Sequence, residues 1–315
     1  MSRILFSIII CTNGRPDIYT TLRSIVNQKF PISKSSIEVI IISSSKLDTT
    51  KQILRIVNKQ ISNFHYVFSQ QTGISFLRNI GIQRSKGKYI CFVDDDTKLS
   101  RTWFAGLHRC MRLHPEAQII FGEIYPLDNQ TNKRELWIKK IENFSPWLLA
   151  SASKNNTKSI TPYTANVCIR ADVFSEIGLF NEIFGSFKGP TPLPYGEDAE
   201  FFQRARCHSI RILFNKHMKI YHFINPLRSS LRYLFWRYID HGKNTIVMYM
   251  LNSEVHSGGT KQLLRFMMLE YINDIPTIFH AFPLGILSVL GKFSGAAIML
   301  YYIHNNKSYY DKFFL

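Results

Sequence analysis

Three consecutive carboxylates, Asp94-Asp95-Asp96, close the apolar, β-favouring run Tyr89-Ile90-Cys91-Phe92-Val93 without a spacer. Like charges this close repel, so an acidic cluster beside a core strand commonly needs a cation. Carboxylate oxygens are hard ligands suited to Mg²⁺ or Mn²⁺, and Mg²⁺ usually shares its coordination with substrate phosphates. The carboxyl end of a strand is also where open α/β sheets place their ligands. Taken alone, the triplet reads equally well as a solvated acidic loop. Asp198 is a second site candidate. It follows Gly196-Glu197 at the start of a helical pattern, where the helix dipole favours the ionised carboxylate that a general base requires. An Asp there is usually just a helix cap, which is the reading these residues favour by themselves. His222 ends another apolar run and joins the list as a ligand or as a structural imidazole.

Two apolar periodicities supply elements to position these groups. Strand patterns at 6–10, 37–42, 65–68 and 88–93 alternate with helix patterns, the first placing Ile18, Leu22, Ile25 and Val26 on one face and the others at 49–58 and 75–84. Such alternation predicts a mainly parallel sheet covered by helices on both faces. A helix at 103–114 and a strand at 118–121 follow, and 126–162 is less regular, with a polar loop at 154–161. Strand and helix resume over 167–177. A Gly/Pro-rich loop at 185–196 leads into a helix at 199–206, and strands at 211–214 and 219–222 close this part. Beyond Pro226 the pattern is helical, with Arg228, Arg232 and Arg237 interleaved among aromatic and aliphatic residues, and 275–303 is strongly apolar.

The chain has 315 residues, 45% of them apolar, and a formal charge of +17, which together indicate a folded protein with anionic partners. No nucleic-acid-binding signature accompanies the basic residues, so a diphosphate substrate and an anionic lipid surface account for them better. Five scattered cysteines without CxxC or Cys/His spacing point to a reduced, cytosolic setting. The apolar run at 4–10 is followed by Thr12-Asn13-Gly14-Arg15-Pro16 and reads as a buried first strand rather than a signal peptide.

Several ordered motifs together resemble the family 2 glycosyltransferases. They are Ser7-Ile8-Ile9-Ile10-Cys11-Thr12-Asn13-Gly14-Arg15-Pro16, Arg78-Asn79-Ile80-Gly81, Asp94-Asp95-Asp96, Asn166-Val167-Cys168-Ile169-Arg170 and Gly196-Glu197-Asp198. The resemblance covers residues 4–222. It implies a GT-A fold, a Rossmann-like α/β/α sandwich, and inverting transfer of a sugar from a nucleotide-sugar donor. It further implies that Asp94 and Asp96, with His222, hold Mn²⁺ or Mg²⁺, that Asp198 is the base with Glu197 the second choice, and that Arg78 pairs with the donor phosphates. Thr12 and Asn13 would then border the nucleobase and ribose, Arg15, Asp94 and Asp95 would join the donor-binding residues, and Asp48 matches a later acid of the second-strand motif. Ser43-Ser44-Ser45 stand where the family commonly carries an earlier acid, which leaves the donor base open.

The expected organisation is a catalytic domain over 1–225, with a nucleotide-sugar half at 1–100 and an acceptor half at 101–225. A helical extension at 226–315 completes the chain. A glycan or lipid-linked acceptor and the cytosolic face of the inner membrane complete the expectation, with two helices of 279–303 lying in the interface, packing on the core or crossing it once. A nucleotidyltransferase and a non-catalytic module binding anionic lipid or nucleic acid are the competing classes.

Overall fold

The structure is a computed structural model and describes residues 4–45, 61–127, 132–149, 162–185, 193–251 and 283–306. Asp48, the helix expected at 49–58 and the polar loop expected at 154–161 lie outside the described residues. Two compact units are present. One comprises Met1–Asn129, Leu149–Glu182 and Glu197–Ile224; the other comprises Gln130–Leu148, Ile183–Gly196 and Asn225–Leu315.

The first unit is built on one eight-stranded sheet in the order β3-β2-β1-β4-β7-β6-β8-β5. Its strands are β1 (Phe6–Thr12), β2 (Ile37–Ser43), β3 (Asn63–Phe68), β4 (Tyr89–Val93), β5 (Thr97–Leu99), β6 (Ile119–Leu127), β7 (Asn166–Arg170) and β8 (Ile212–Phe223). Parallel pairing joins β1 to β2 and β4, β2 to β3, and β6 to β8; the pairs β4–β7, β6–β7 and β5–β8 are antiparallel. β1 and β2 are buried along nearly their whole length, as central parallel strands covered on both faces must be. Ile18, Leu22 and Ile25 of helix Ile18–Val26 share one core with Trp103, Phe104 and Leu107 of helix Trp103–Leu113. Leu77 of helix Ile74–Arg84, Val173 and Phe174 of helix Asp172–Ile177, and Phe201 and Phe202 of helix Glu197–Cys207 form the other. The sheet is thus sandwiched between helices, as the alternating pattern predicts.

The sequence reading differs from the structure at β6 and β8. The strand expected at 118–121 continues to Leu127, and the two strands expected at 211–214 and 219–222 are a single strand. The reason is a bulge: Gly122 pairs with Asn215 but Glu123 pairs with Lys219, so residues 216–218 leave the ladder and interrupt the apolar alternation. Gly122 makes this possible, because a Cβ there would overlap the Met218 carbonyl. Asn166 pins the bulge from β7. Its Nδ2 donates to Glu123 O at 2.9 Å and to Met218 O at 2.8 Å, while Trp103 Nε1 donates to its Oδ1 at 2.7 Å.

The second unit contains helices Asn132–Phe144, Leu231–Leu251 and Leu284–Asn305. The last two approach backbone to backbone: a Cβ on Gly242 would overlap the Lys292 carbonyl, and one on Gly295 the Ile239 carbonyl. Phe184, Leu193, Ile246, Val247, Ala296 and Met299 form a core of their own.

Because backbone rather than a flexible side chain blocks the space at Gly122, Gly122→Ala should destabilise the protein by about 1–3 kcal/mol. Thermal unfolding would read this as a fall in Tm, with weakened metal binding if the shift propagates along β8 to His222. An unchanged Tm would mean that the bulge is free to relocate.

Candidate active site

Asp94, Asp95 and Asp96 leave the end of β4 in two directions, Asp95 to one side and Asp94 and Asp96 to the other. Asp95 is buried, and its Oδ2 accepts from Thr12 Oγ1 at 2.5 Å across the parallel β1–β4 seam. Gly14 N donates to that same hydroxyl oxygen at 3.0 Å. Burial pushes the Asp95 carboxyl up to about 7 despite the Thr12 hydrogen bond. Asp95 is therefore a structural tie between two strand ends, and Thr12, expected to border the nucleoside, is its partner. Thr21 reinforces the turn from the helix below, its Oγ1 donating to Thr97 O at 2.7 Å and accepting from Thr97 N at 3.1 Å.

Asp96 and Asp94 point the other way. Asp96 is buried, with its Oδ1 3.0 Å from His222 Nε2 and its Oδ2 2.6 Å from Arg15 Nη1. β5, which follows the acids directly, pairs antiparallel with β8 so that Thr97 stands opposite His222. Phe223 N donates to the Asp96 carbonyl at 2.9 Å. The other imidazole nitrogen, Nδ1, lies 3.3 Å from Leu149 O, an outer partner that orients the ring with Nε2 toward Asp96. Ligand atoms of Asp94, Asp96 and His222 all lie within 4.8 Å of one another. Two carboxylates and one imidazole, with Asp94 still 34% exposed on its side chain, make a donor set that fits Mn²⁺ or Mg²⁺ and leaves one side open. Burial raises the Asp94 carboxyl, with Arg78 opposing and Asp96 adding to the rise.

Arg78 binds the remaining acids together. It is buried on helix Ile74–Arg84, with Nη1 2.9 Å from Glu197 Oε1 and 3.4 Å from Asp198 Oδ1, and Nη2 3.7 Å from Asp94 Oδ1. Its guanidinium carbon also stands 5.6 Å from the Phe180 ring centroid. Burial disfavours its charge, but Asp198, Glu197 and Asp94 together hold it charged with a raised pKa. The resemblance implied a phosphate partner for Arg78; here three carboxylates surround it. Asp198 lies in the first turn of its helix, and Thr164 holds it from the other side, Oγ1 donating to Oδ1 at 2.7 Å and the backbone N to Oδ2 at 3.2 Å. Its carboxyl rises to about 7 through burial first and Glu197 second, with Arg78 and Thr164 opposing.

Three residues that hold this arrangement were absent from the sequence candidates. Asn79 clamps the loop before the acids: its Nδ2 donates to Phe180 O and to Glu182 Oε1, both at 2.9 Å, and its Oδ1 accepts from Phe180 N at 3.0 Å. The adjacency Arg78-Asn79 was the available signal, since one helix turn aims the two side chains at neighbouring segments. Thr164 and Leu149 carried no such signal, because they act through backbone groups and a short hydroxyl. Asn13 is exposed, and Arg15 lies on the same turn, beside the metal candidates. At the end of β2, Ser43 Oγ donates to Ser45 O at 2.6 Å and accepts from Ser45 N at 3.3 Å, which makes a closed turn in place of an acid.

Comparison with known proteins adds the following. The family model described as Glycosyl transferase family 2 matches residues 7–178, more than half of the chain. The succinoglycan biosynthesis protein ExoM of Rhizobium meliloti is 25% identical over 74% of this chain and 72% of its own length. A glucosyl-dolichyl phosphate glucuronosyltransferase of Haloferax volcanii is 22% identical over 65% of this chain and 64% of its own. Among solved structures, S. aureus TarS 1–349 in complex with UDP-GlcNAc superposes with a TM-score of 0.52 at 15% identity, covering 96% of this chain and 92% of that one. The mannosyltransferase PcManGT of Pyrobaculum calidifontis, in complex with GDP-Man and Mn²⁺, gives 0.53 at 13% identity, with 97% and 76% covered. These structural likenesses establish a shared GT-A fold.

Removing Arg78 leaves buried acids without their cation, so Arg78→Met should cost about 3–5 kcal/mol near pH 8. The Asp198 carboxyl is already raised in the folded state, and loss of Arg78 raises it further. The folded protein then binds protons more tightly than the unfolded chain, and stability falls as pH rises through this range. The deficit should therefore shrink as pH falls to about 5. Thermal unfolding in EDTA across that interval checks it; a pH-independent deficit would assign the loss to packing.

Proposed function

The chain belongs to glycosyl transferase family 2, and from that premise we propose a metal-dependent, inverting transfer of a sugar from a nucleotide-sugar donor to the hydroxyl of a glycan or lipid-linked acceptor. One observation carries the mechanism: Asp94, Asp96 and His222 converge within 4.8 Å, while Asp198 stands across the Arg78 guanidinium from Asp94. Asp94, Asp96 and His222 would hold the cation, which supplies Lewis-acid stabilisation to the departing diphosphate. Arg15, on the turn after β1, offers a guanidinium to the same phosphates. Arg78 keeps Asp94 and Asp198 side by side without joining the chemistry. Asp198, held by Thr164 and Arg78, takes the proton of the acceptor hydroxyl as that oxygen attacks the anomeric carbon opposite the diphosphate. The new C–O bond forms as the bond to the diphosphate oxygen breaks, and the configuration inverts. A base poised near pH 7 suits this task at neutral pH. The printed names of the relatives, a succinoglycan biosynthesis protein and an enzyme of glucosyl-dolichyl phosphate, support a glycan or lipid-linked acceptor.

The site of action that fits best is the cytosolic face of a membrane. The most apolar 18-residue window of helix Leu284–Asn305 has a mean hydropathy of 1.6, and the helix is long enough to cross a membrane by length and composition. It buries Gly291, Gly295 and Met299 and exposes Leu290, Phe293, Ile298 and Tyr301. In the same unit, Leu227, Leu231 and Trp236 are exposed with Arg228 and Arg232 among them. An apolar face with cations beside it suits a helix lying in an anionic interface.

Two substitutions separate metal from base. Asp96→Asn should abolish Mn²⁺-dependent binding of the nucleotide sugar, whereas Asp198→Asn should leave it intact while turnover falls about 10²–10⁴-fold. With the wild-type chain, kcat/KM should fall on the acid side of about pH 7, because protonation removes the base. Equal donor affinity in Asp96→Asn and wild type would remove Asp96 from the metal site. Collapse of donor affinity in Asp198→Asn would move Asp198 to the donor side and Glu197 to the base.

The membrane reading predicts that the full-length chain sediments with vesicles containing anionic phospholipid at low salt. Retention should drop on neutral vesicles and at high salt. A chain that ignores both kinds of vesicle is not a membrane-surface enzyme.

A further inference from the structure

The second unit carries a cation whose Nε–H has no hydrogen-bond acceptor among the described residues. Arg237 lies on helix Leu231–Leu251 with its guanidinium carbon 3.2 Å from the Tyr195 ring centroid and 5.6 Å from that of Trp147. Its Nε is buried without a hydrogen-bond partner, and none of its nitrogens is paired with a carboxylate among the described residues. The neighbouring acid, Asp240, is bound by Lys243 at 3.2 Å. Arginine carries five N–H donors in a planar fork, and leaving even the Nε–H without an acceptor in a covered position is costly.

The rest of the same helix stripe points to a ligand as well. His241 and Asn244 follow Arg237 at helical spacing and share its face. The His241 ring packs 4.8 Å from Trp147 between centroids, and burial, then Lys292, then Arg237, lower its pKa to about 3. The imidazole therefore adds no charge at neutral pH and compensates none. Asn244 Oδ1 is buried without a donor, and the same side chain packs against Gly196, where a Cβ would come within 2.9 Å of Asn244 Nδ2. Arg228 acts on the Tyr195 hydroxyl together with Arg237. A buried Arg237 Nε–H without an acceptor, an unmet amide oxygen and two aromatic rings, with the one neighbouring acid, Asp240, already bound by Lys243, make the chemistry of an oxyanion carried on a sugar or lipid. Along the chain, Tyr195 and Gly196 directly precede Glu197 and Asp198.

We propose that Arg237, flanked by Tyr195 and Trp147 and continued by Asn244, binds a phosphate or carboxylate oxyanion of the acceptor. Arg237 takes two of its oxygens through the guanidinium fork, and Asn244 accepts from a hydroxyl beside them. Assigning this ligand to the acceptor rests on the transferase reading above; the anion site itself does not.

The test measures binding to the full chain without turnover, by calorimetry, using octyl phosphate, octyl glucuronide and the neutral octyl glucoside as probes. One of the two anionic probes should bind at least about tenfold tighter than the glucoside. Preference for octyl phosphate identifies a phosphate-bearing acceptor; preference for octyl glucuronide identifies a uronic-acid one. Arg237→Gln should abolish the preference, and Arg237→Lys, which keeps charge but not the fork, should retain only part of it. Affinity for the nucleotide sugar with Mn²⁺ should be unchanged in both variants. Equal binding of all three probes to the wild-type chain overturns the site even if Arg237→Gln does not fold, and so does a preference that survives in a folded Arg237→Gln. Donor hydrolysis with Mn²⁺, measured alongside, reports on the transferase reading independently. Its absence with the anion preference intact would sink that reading and leave the site standing.

Discussion

The buried guanidinium of Arg78 is the constraint on which the catalytic arrangement depends. Asp94, Glu197 and Asp198 come from the end of a strand and the start of a distant helix, and like charge drives them apart. One cation at the centre turns that repulsion into a fixed geometry, and the Phe180 ring beside it excludes water. Burial of such a group is tolerable only because every face meets an acid or an aromatic ring. Asn79, the next residue, ties the same helix to the Phe180–Glu182 loop, so a single helix turn sets both the charge and the position of the acidic segment.

A second constraint is geometric and lies in the backbone. The acids at the end of β4 reach their imidazole partner because β5 folds back onto β8, and β8 arrives in the correct register because it bulges over Gly122. Asn166 and Trp103 lock the bulge with side-chain hydrogen bonds to the backbone. Packing and chemistry meet here: the bulge that Gly122 in β6 permits sets the register in which His222 of β8 faces Asp96.

The two units use opposite electrostatic arrangements. Around Arg78 the acids outnumber the cation, and the surplus negative charge suits a divalent metal. On the helix face of Arg237 the neighbouring acid, Asp240, is taken by Lys243, and the Arg237 Nε–H left without an acceptor suits an oxyanion. The formal charge of +17 is consistent with anionic partners but does not locate them.

The sequence by itself determined the alternating α/β architecture, because the apolar periods of strands and helices are local and survive without partners. It also marked Asp94 and Asp96, because acids at a strand end stand out against an apolar run, and the ordered family motifs added Asp198 and His222. It did not separate the roles of the three adjacent aspartates. Successive side chains at a strand's exit point in different directions, and only β1 and β8 decide which of them meets Thr12 and which meets His222. Nor could it show that Arg78 is enclosed by carboxylates, that Asn79 and Thr164 hold the acidic segment, or that 211–222 is one strand across a bulge. Those outcomes depend on contacts between residues far apart in the chain. Such contacts leave no period in the sequence and exist only once the sheet has closed.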